Sequence, residues 1–395
     1  MTPTLILVIN CGSSSLKFAL YTTQLNLLAE GLAESLNSNQ AKLTIENFSD
    51  HTKETFATKD HKSAIKIIIA ELQQHFDLDD KLIGIGHRIV HGGDKFKQSA
   101  LIDQHVKAEI EHCIPLAPLH NPANLLGINI LSEQYPDLSQ VAVFDTSFHQ
   151  TMPTHAFTYA IPYRFYEQES VRRYGFHGTS HRFVSHQAAK LLNKDLNDTS
   201  LVVAHLGNGA SVASISHGKS VDTSMGLTPL EGLVMGTRSG DIDPGLYDYL
   251  ISRNLSPNDI SHMLNKESGL LGISGVSNDM RTLCEHAKEG HKRCELAIDI
   301  FCFRLAKYIA AMMVSLQSLD ALIFTGGIGE NSALVRAKTI NHLSIFGFSI
   351  DEELNSSNCH NKTIHTSCSR PIIVIPTDEE VMIVQDTLEL IPGTF

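Results

Sequence analysis

The chain has 395 residues, of which 42% are hydrophobic and 19% are charged, and its formal net charge is −12. This length suits two domains of about 150–200 residues each. The negative net charge argues against a nucleic-acid partner, so a phosphate ligand would need a local pocket of basic groups. The longest apolar runs, AIKIIIAEL and YIAAMMVSL, are too short for a membrane span, so no membrane partner is expected.

The first predicted elements are two apolar strands, 5–10 and 16–21, joined by the small polar turn CGSSS. Small residues let backbone N–H groups approach a ligand, and Lys17 adds a positive charge, so the turn is predicted to face an anion. A Walker P-loop is excluded, because Leu16 stands where that motif needs glycine and Phe18 where it needs Ser or Thr.

Strands and helices alternate along the rest of the chain. The predicted strands are 82–90, 141–144, 201–205, 211–216 and 321–325, and the predicted helices are 62–76, 182–192 and 294–316. A strand, a turn and a last helix follow in PIIVIPTDEEVMIVQDTLEL, and Thr179 or Ser180 is the expected cap of the middle helix. This alternation predicts an α/β fold with helices covering the sheets.

One pattern occurs twice. The strand, glycine turn and strand around Gly12 recur around Gly207, about half a chain later. The repeat suggests two related domains that close on one nucleotide, although glycine hairpins are also common in unrelated α/β proteins.

Eight motifs then carry a resemblance to a known family. NCGSSSLKF, GHRIVHGG, FDTSFHQTMP, RYGFHGTSH, HLGNGAS, GTRSGDIDPG, TGGIGEN and PTDEE stand in family order between residue 5 and about residue 390. Together they resemble the acetate kinase family. The resemblance implies an α/β fold of two actin-like (ribonuclease H-like) domains with a nucleotide cleft between them. It also implies ATP/ADP as co-substrate, Mg²⁺ (with Mn²⁺ as a substitute), acetate as phosphoryl acceptor, and a homodimer.

The domain boundaries are expected from the same motifs. The first domain is predicted to span 1–148 plus about 382–395, because the TDEE segment must reach a metal beside Asn10. The second is predicted to span 149–381 and to carry the nucleotide turns and the dimer interface. Seven cysteines without a C-x-x-C pair favour reduced thiols and a cytoplasmic location.

The chemistry needs positive charge rather than a base. A simple carboxylate has a pKa of roughly 4–5 and is already ionised at neutral pH, so the obstacle is repulsion between two anions. The resemblance implies that Arg88 and Arg238 bind the acetate carboxylate and the phosphoryl oxygens, and that His177 stabilises the transition state. Replacing either arginine with alanine is expected to leave the fold intact. Asp145 is expected to orient an arginine or histidine or to contact the metal shell, with capping of its own turn as the alternative.

The metal positions implied by the resemblance are Asn10 and Glu379. A capping box in the T-x-x-E pattern of 377–380 would occupy Glu380 and leave Glu379 free to face the ion. For Asn10 the alternative is simple turn formation. The spaced histidines His87/His91 and His177/His181 lack the remaining ligands of a zinc site, so zinc is not expected.

The nucleotide contacts are expected on three short turns, in addition to the first hairpin with Ser13, Ser15 and Lys17. HLGNG offers backbone donors to phosphates, GGIGEN precedes a helix, and NDMR is included by resemblance alone, with a polar helix start as the alternative. The residues predicted to contact the nucleotide are Ser13, Ser15, Lys17, His205, Leu206, Gly207, Asn208, Gly209, Asp279, Met280, Arg281, Gly327, Ile328, Gly329, Glu330 and Asn331.

The acceptor pocket is also implied by the resemblance, which places the acetate methyl among Val90, Leu119, Phe176 and Pro229. Ordinary core packing is the alternative for these residues.

Two other functions stay open. A propionate or butyrate kinase would use the same chemistry in a roomier pocket, whereas a chaperone-like ATPase would need a peptide-binding domain and would not explain Arg88 and Arg238.

Overall fold

The computed structural model describes residues 4–48, 51–357 and 362–392, which divide into two compact units. The first unit is Met1–Phe148 with Asp378–Phe395, and the second is His149–Thr377. The chain therefore returns to the first unit at Asp378, four residues before the predicted position, because the whole last helix packs on the first sheet. None of the helices in the described ranges is long and apolar enough to cross a membrane.

The first unit is built on an eight-stranded sheet with the strand order β5-β4-β3-β2-β1-β6-β8-β7. Its strands are β1 (Leu5–Cys11), β2 (Leu16–Thr22), β3 (Leu27–Glu34), β4 (Lys42–Asn47), β5 (Thr52–Ala57), β6 (Leu82–Ile89), β7 (Ala100–Leu101) and β8 (Gln140–Phe144). Its helices are α1 (His61–Phe76), α2 (Leu78–Lys81), α3 (Gln104–His112), α4 (Asn121–Gln134) and, at the end of the chain, α16 (Glu379–Leu390).

Both faces of β1 are buried, which explains its continuous apolar sequence. Leu7 and Ile9 point into a core that includes Ile65 of α1, whereas Val8 on the opposite face packs in a core that includes Ile383 of α16. Helices therefore cover the two sides of this strand, and its carboxyl end is held firmly where the polar turn begins.

The second unit is built on a six-stranded sheet with the strand order β11-β10-β9-β12-β14-β13. Its strands are β9 (Ser200–Leu206), β10 (Ala210–Ser216), β11 (Lys219–Thr223), β12 (Ala321–Thr325), β13 (Lys362–Thr363) and β14 (Ile372–Val374). Its helices are α5 (Thr154–Phe157), α6 (Arg164–Glu169), α7 (Gly178–Leu191), α8 (Gly245–Ser252), α9 (Pro257–His262), α10 (Gly269–Ser274), α11 (Met280–Lys288), α12 (Lys292–Met313), α13 (Gly326–Asn331), α14 (Ala333–Asn341) and α15 (Glu352–Ser356).

The two sheets share one topology. In the first, β2 is antiparallel to β1, and β1, β6 and β8 are parallel neighbours; in the second, β10 is antiparallel to β9, and β9, β12 and β14 are parallel neighbours. Each hairpin closes through its glycine: Gly12 N–H donates to Ser15 O at 2.8 Å and Gly207 N–H to Gly209 O at 2.9 Å. The repeated hairpin predicted from sequence is therefore confirmed as a structural repeat.

Two helix caps differ from the predictions. Helix α7 begins at Gly178, one residue before the predicted cap Thr179, because His177 takes a left-handed conformation with φ of 57° and serves as N-cap. Helix α16 is capped by Asp378, whose carboxylate accepts from Val381 N–H at 3.0 Å. The predicted capping box is therefore wrong, and Glu380 is not held by it.

Two further differences concern whole elements. The GGIGEN stretch is itself the short helix α13 rather than a turn before one. The strands β3, β4 and β5 form an antiparallel meander beyond β2 that the sequence analysis did not predict. The outer strand β5 is largely exposed, so it lacks the apolar run that identified the central strands.

Candidate active site

In the first unit, Arg88 and Asp145 form a paired group at the carboxyl ends of β6 and β8. Arg88 donates through Nε to Asp145 Oδ1 at 2.9 Å and through Nη2 to Asp145 Oδ2 at 2.8 Å. Both carboxylate oxygens are thus engaged by one guanidinium, the bidentate geometry that fixes an arginine most firmly. Glu379, the first residue of α16, lies 3.6 Å from Arg88 Nε through its Oε2.

The electrostatics of this group follow from burial and the excess of carboxylates. Burial alone would lower the pKa of Arg88, but Asp145 and Glu379 more than offset it and raise the pKa above its usual value. Burial also raises the pKa of Glu379 to about 7, against the attraction of Arg88 and with the help of Asp145 and Glu380. The cluster therefore holds more acidic oxygen than one arginine neutralises, so an added cation would be stabilised there.

The hairpin residues lie beside this cluster. Lys17 Nζ lies 2.5 Å from Glu380 Oε1, so Glu380 is engaged by an ion pair and not by a helix cap. Ser13 is exposed and Ser15 is half-buried in the turn between β1 and β2. One small cavity is lined by Asn10, Lys17, Arg88, Glu379 and Glu380 together with Val8, Phe18 and Ile383.

The oxygen donors around this cavity fit magnesium better than a softer metal. Asn10 and Glu379 offer an amide and a carboxylate oxygen, and Mg²⁺ commonly takes one or two such groups with water and phosphate as its other ligands. Within the described ranges no three His, Cys, Asp or Glu side chains are grouped as a metal site. The structure thus brings the two predicted metal ligands to one cavity of the first unit.

In the second unit, Arg238 and His177 converge on Gly209. A Cβ atom on Gly209 would lie 2.8 Å from Arg238 Nη2 and 3.3 Å from His177 Nε2. Arg238 Nη1 donates to Pro229 O at 2.5 Å, which fixes the guanidinium from its other end. Arg238, from its loop of small residues, and His177, from the N-cap of α7, thus each present one nitrogen to the same place.

Arg238 differs from Arg88 in its partners. Among the residues that the structure describes, it makes no ion pair with a carboxylate, and burial lowers its pKa to about 10. A cation desolvated without a counter-ion is a strong binding point for an anion. This is the environment that a negatively charged substrate group would complete.

Histidine rings and hydroxyl groups surround His177. Its ring stacks on His205 with 4.3 Å between centroids, and its Nδ1 lies 2.9 Å from Ser211 Oγ. His205 Nδ1 lies 2.8 Å from Ser180 Oγ, which in turn lies 2.7 Å from Thr377 Oγ1. His205, which was predicted to contact the nucleotide, is therefore buried and packs against the ring of His177.

A cavity of about 810 Å³ opens on the same unit. The predicted nucleotide residues that line it are Gly207, Asn208, Asp279, Met280, Arg281, Gly327, Ile328 and Asn331. Five predicted residues of this unit do not line it. Leu206 is in the core, Gly329 is buried, and the Glu330 carboxylate accepts from the N–H groups of Gly326 and Thr377. The other two, His205 and Gly209, lie beside His177. All five were predicted as parts of the HLGNG and GGIGEN motifs, other residues of which do line the cavity.

The cavity wall also contains Asn278, the first residue of the predicted NDMR turn. The lining residues that sequence reasoning missed are Cys284, Lys288, Ser332, Ala333 and Leu334. Cys284 and Lys288 follow Met280 at intervals of four, so they share one face of α11. Since Met280 was predicted to contact the nucleotide, this spacing could have predicted that Cys284 and Lys288 also line the cavity. Asp279 caps α11 and pairs with the exposed Arg281 at 2.7 Å.

The four predicted acceptor-pocket residues divide between the units. Val90 and Phe176 are buried, with 8% and 1% of their surface exposed, whereas 43% of Leu119 is exposed. Pro229 is half-buried, and its carbonyl is occupied by Arg238. Their assignment to a pocket stays a prediction.

Comparisons with known proteins extend these observations. A family model described as the Acetokinase family matches residues 5–385. An acetate kinase of Chromobacterium violaceum is 54% identical over 389 residues, 98% of each chain. A solved propionate kinase from Francisella tularensis has a TM-score of 0.94 at 47% identity, covering 98% of this chain and 100% of that chain. An acetate kinase from Porphyromonas gingivalis has a TM-score of 0.91 at 41% identity, covering 98% and 99%. These alignments confirm the predicted α/β fold of the actin-like type.

Proposed function

Because this chain belongs to the acetokinase family, we propose that it transfers the γ-phosphoryl group reversibly between ATP and acetate, giving acetyl phosphate and ADP. The chain is a phosphotransferase with a carboxyl group as acceptor. The observation that carries the proposal is Arg238, a buried guanidinium without a carboxylate partner among the described residues, beside His177 Nε2. Such a pair suits the charge that spreads over a transferring phosphoryl group.

The proposed mechanism is a direct in-line transfer without a protein base. Acetate is already ionised, and both oxygens of Asp145 are engaged by Arg88, so Asp145 acts by orienting Arg88. Arg88 binds the acceptor or the phosphoryl oxygens, while Arg238 and His177 stabilise the charge that develops in the transition state. The proposed contribution of these residues is to hold two anions together in line.

The proposed cofactor is Mg²⁺ (Mn²⁺ as a substitute), held by Asn10 and Glu379. When bound, the ion neutralises phosphate charge and fixes the polyphosphate relative to the acceptor. Lys17, which is paired with Glu380, adds a further positive charge at the same cavity. The first unit is thus proposed to hold the metal and phosphate hairpin.

The second unit is proposed to bind the nucleotide in its 810 Å³ cavity. Gly207 and Gly327 leave room for close approach of the ligand to the backbone, and Arg281 is an exposed cation at the rim.

We also propose a homodimer in the cytoplasm. The exposed Tyr249 and Ile251 of α8 support a protein contact, and the six described cysteines are free thiols.

Propionate is the second candidate acceptor, because the solved propionate kinase from Francisella tularensis is so similar to this chain. Both candidates use the same chemistry and differ in one methylene, which is worth roughly 10- to 200-fold in an apolar pocket. The predicted preference for acetate is therefore graded.

The function is tested by measuring ADP formation from ATP and Mg²⁺ with acetate, propionate, butyrate or no acceptor. Acetate should give the highest kcat/KM, and Arg238→Ala should lower carboxylate-dependent turnover by at least about a hundredfold. ATP hydrolysis that is indifferent to the carboxylate would contradict the kinase function, whereas a higher kcat/KM for propionate would change only the acceptor.

The metal assignment gives a separate prediction. Glu379→Gln should raise the Mg²⁺ concentration needed for half-maximal velocity, because it removes a charged oxygen ligand. Glu380→Gln is the matched control, since its partner is Lys17, and it should change the Mg²⁺ requirement much less. A larger effect of Glu380→Gln on the Mg²⁺ titration would reverse the assignment.

A further inference from the structure

One serine of the second unit lies between two histidine rings. Ser211, the second residue of β10, is fully buried, and its Oγ lies 2.9 Å from His177 Nδ1 and 2.8 Å from His181 Nε2. A hydroxyl group has one proton, so it can donate to only one of the two nitrogens. The direction of these two hydrogen bonds therefore decides where His177 carries its own proton.

The surroundings of His181 determine that direction. Its ring is fully buried, and its Nδ1 has no hydrogen-bond partner among the residues that the structure describes. A buried N–H without an acceptor is rarer and costlier than an unused acceptor, so the proton of His181 belongs on Nε2. Burial, reinforced by His149 and His205, also lowers the pKa of His181 well below its usual value, so the ring is neutral.

It follows that His181 Nε2–H donates to Ser211 Oγ, and that the Ser211 hydroxyl donates to His177 Nδ1, which accepts with its lone pair. We propose that Ser211 is a positioning residue that keeps His177 in the tautomer with its proton on Nε2. That nitrogen and Arg238 Nη2 both lie beside Gly209, at 3.3 and 2.8 Å from the place of a Cβ. His177 then presents an N–H donor where Arg238 presents another.

The opposite direction is disfavoured by the same contacts. If His177 Nδ1 carried a proton, Ser211 would accept from it, and two arrangements would remain. If Ser211 donated to His181 Nε2, the proton of His181 would lie on Nδ1, where no described residue accepts it. If Ser211 accepted from both rings, its own buried proton would have no acceptor among the described residues.

The tautomer can be measured directly on the whole protein. Two-bond ¹H–¹⁵N spectra of histidine-labelled protein at mildly alkaline pH distinguish protonated from unprotonated ring nitrogens, and His177→Asn assigns the His177 signals by their loss. We expect Nδ1 of His177 to be unprotonated and Nε2 to be protonated. A protonated Nδ1 in the wild-type protein would overturn the proposal, and this measurement needs no variant of Ser211.

Ser211→Ala tests the cause. It should shift the His177 nitrogen signals towards a mixture of tautomers. The matched control is Ser214→Ala on the same strand, equally buried, whose hydroxyl donates to Met312 O instead of a ring. Ser214→Ala should leave the His177 signals unchanged. Unchanged signals in Ser211→Ala would overturn the role of Ser211.

The catalytic consequence rests on the proposed function. Loss of one hydrogen bond that orients a transition-state donor should lower kcat by about 3- to 10-fold. The KM values for acetate and ATP should change less than about twofold, because the interaction is used mainly in the transition state. Ser214→Ala should keep the wild-type kcat. A normal kcat in Ser211→Ala with an altered tautomer would overturn the catalytic part, whereas failure of the kinase function leaves the spectroscopic result standing.

Discussion

At the scale of single residues, the two arginines of the candidate site differ in what their removal leaves behind. Arg238 is held by one backbone carbonyl, and no carboxylate depends on it in the described ranges. Arg88 neutralises Asp145, whose side chain is 2% exposed, and lies near Glu379. Removing Arg88 would therefore leave acidic groups without their counter-ion.

We expect Arg238→Ala and Arg88→Ala each to lower kcat/KM by at least two orders of magnitude, since a charge-stabilising donor contributes about 3–4 kcal/mol. Arg88→Ala should also lower the free energy of unfolding by about 3 kcal/mol, because a buried carboxylate loses its partner. This differs from the sequence-based expectation that both variants keep the fold intact. Steady-state kinetics and thermal unfolding followed by circular dichroism measure both effects; equal melting temperatures for Arg88→Ala and the wild type would contradict the reasoning.

Gly209 offers a second residue-scale prediction. A methyl group there would lie 2.8 Å from Arg238 Nη2 and 3.3 Å from His177 Nε2, so the two donors must move. Gly209→Ala should keep its melting temperature, because the end of an arginine is flexible, but lose at least about tenfold in kcat/KM through misplacement of the donors. Gly245→Ala, whose Cβ would meet only Asp243 at 3.3 Å or more, is the control and should retain activity. Full activity in Gly209→Ala would show that the two donors do not act at this place.

At the scale of elements, the short helix α13 is held by a buried arginine from α14. Arg336 Nη1 donates to the carbonyls of Gly329 and Glu330 at 2.8 and 2.9 Å, and its Nε and Nη2 bind Asn355. Burial lowers the pKa of Arg336 to about 10. This guanidinium closes the carboxyl end of α13, which forms one wall of the proposed nucleotide cavity.

Arg336→Met should therefore destabilise the protein by about 2–4 kcal/mol, because buried carbonyls lose their donor. It should raise the KM for ATP more than the KM for acetate, since α13 lies at the nucleotide cavity. Lys338→Met is the control: its pair with Asp299 is exposed and should be worth less than about 1 kcal/mol. Denaturant titration and separate KM values measure both effects, and an equal rise of both KM values would count against α13 as a nucleotide wall.

At the scale of the whole molecule, buried histidines predict loss of stability in acid. Burial lowers the pKa of His87 and of His149 to about 4 each, and lowers that of His181 further below its usual value. In the unfolded chain each ring titrates near 6.5. Below that pH the unfolded chain binds protons that the folded protein does not, so stability is complete above about pH 6.5 and falls as the pH drops towards about 4.

His87 and His149 each contribute about 3 kcal/mol across this window, and His181 contributes in the same direction. The urea midpoint, measured by circular dichroism at several pH values, should therefore fall steeply below about pH 6.5. His87→Asn in the first unit and His149→Asn in the second should each have a shallower pH slope than the wild type, whatever their absolute stability. Slopes identical to the wild type in both variants would mean that these rings do not cause the acid sensitivity.

Much of the fold was predictable from the sequence. The central strands and long helices were predicted within about four residues of their observed ends. The strands were predictable because a strand buried on both faces must be a continuous apolar run, as in β1. The glycine hairpins and the family motifs are likewise contiguous in sequence, so the α/β class and the family were determined without the fold. The meander β3–β5 and the helix caps at His177 and Asp378 were not predicted from the sequence. The outer strand of the meander is exposed and lacks an apolar run, and the two caps depend on the backbone conformation that the folded chain adopts.

What only the tertiary structure decided is which side chains meet. Lys17 was predicted to face phosphate, and the fold pairs it with Glu380; Arg88 was predicted to bind substrate, and the fold also fixes it on Asp145. No feature of the sequence predicted a role for Ser211, yet its hydroxyl lies between two histidine rings. The sequence determines which residue types are available at the site, but a hydrogen bond forms only when donor and acceptor lie within about 3 Å of each other. Strand order and register bring residues that are dozens or hundreds of positions apart to that distance, and neither can be read from local sequence.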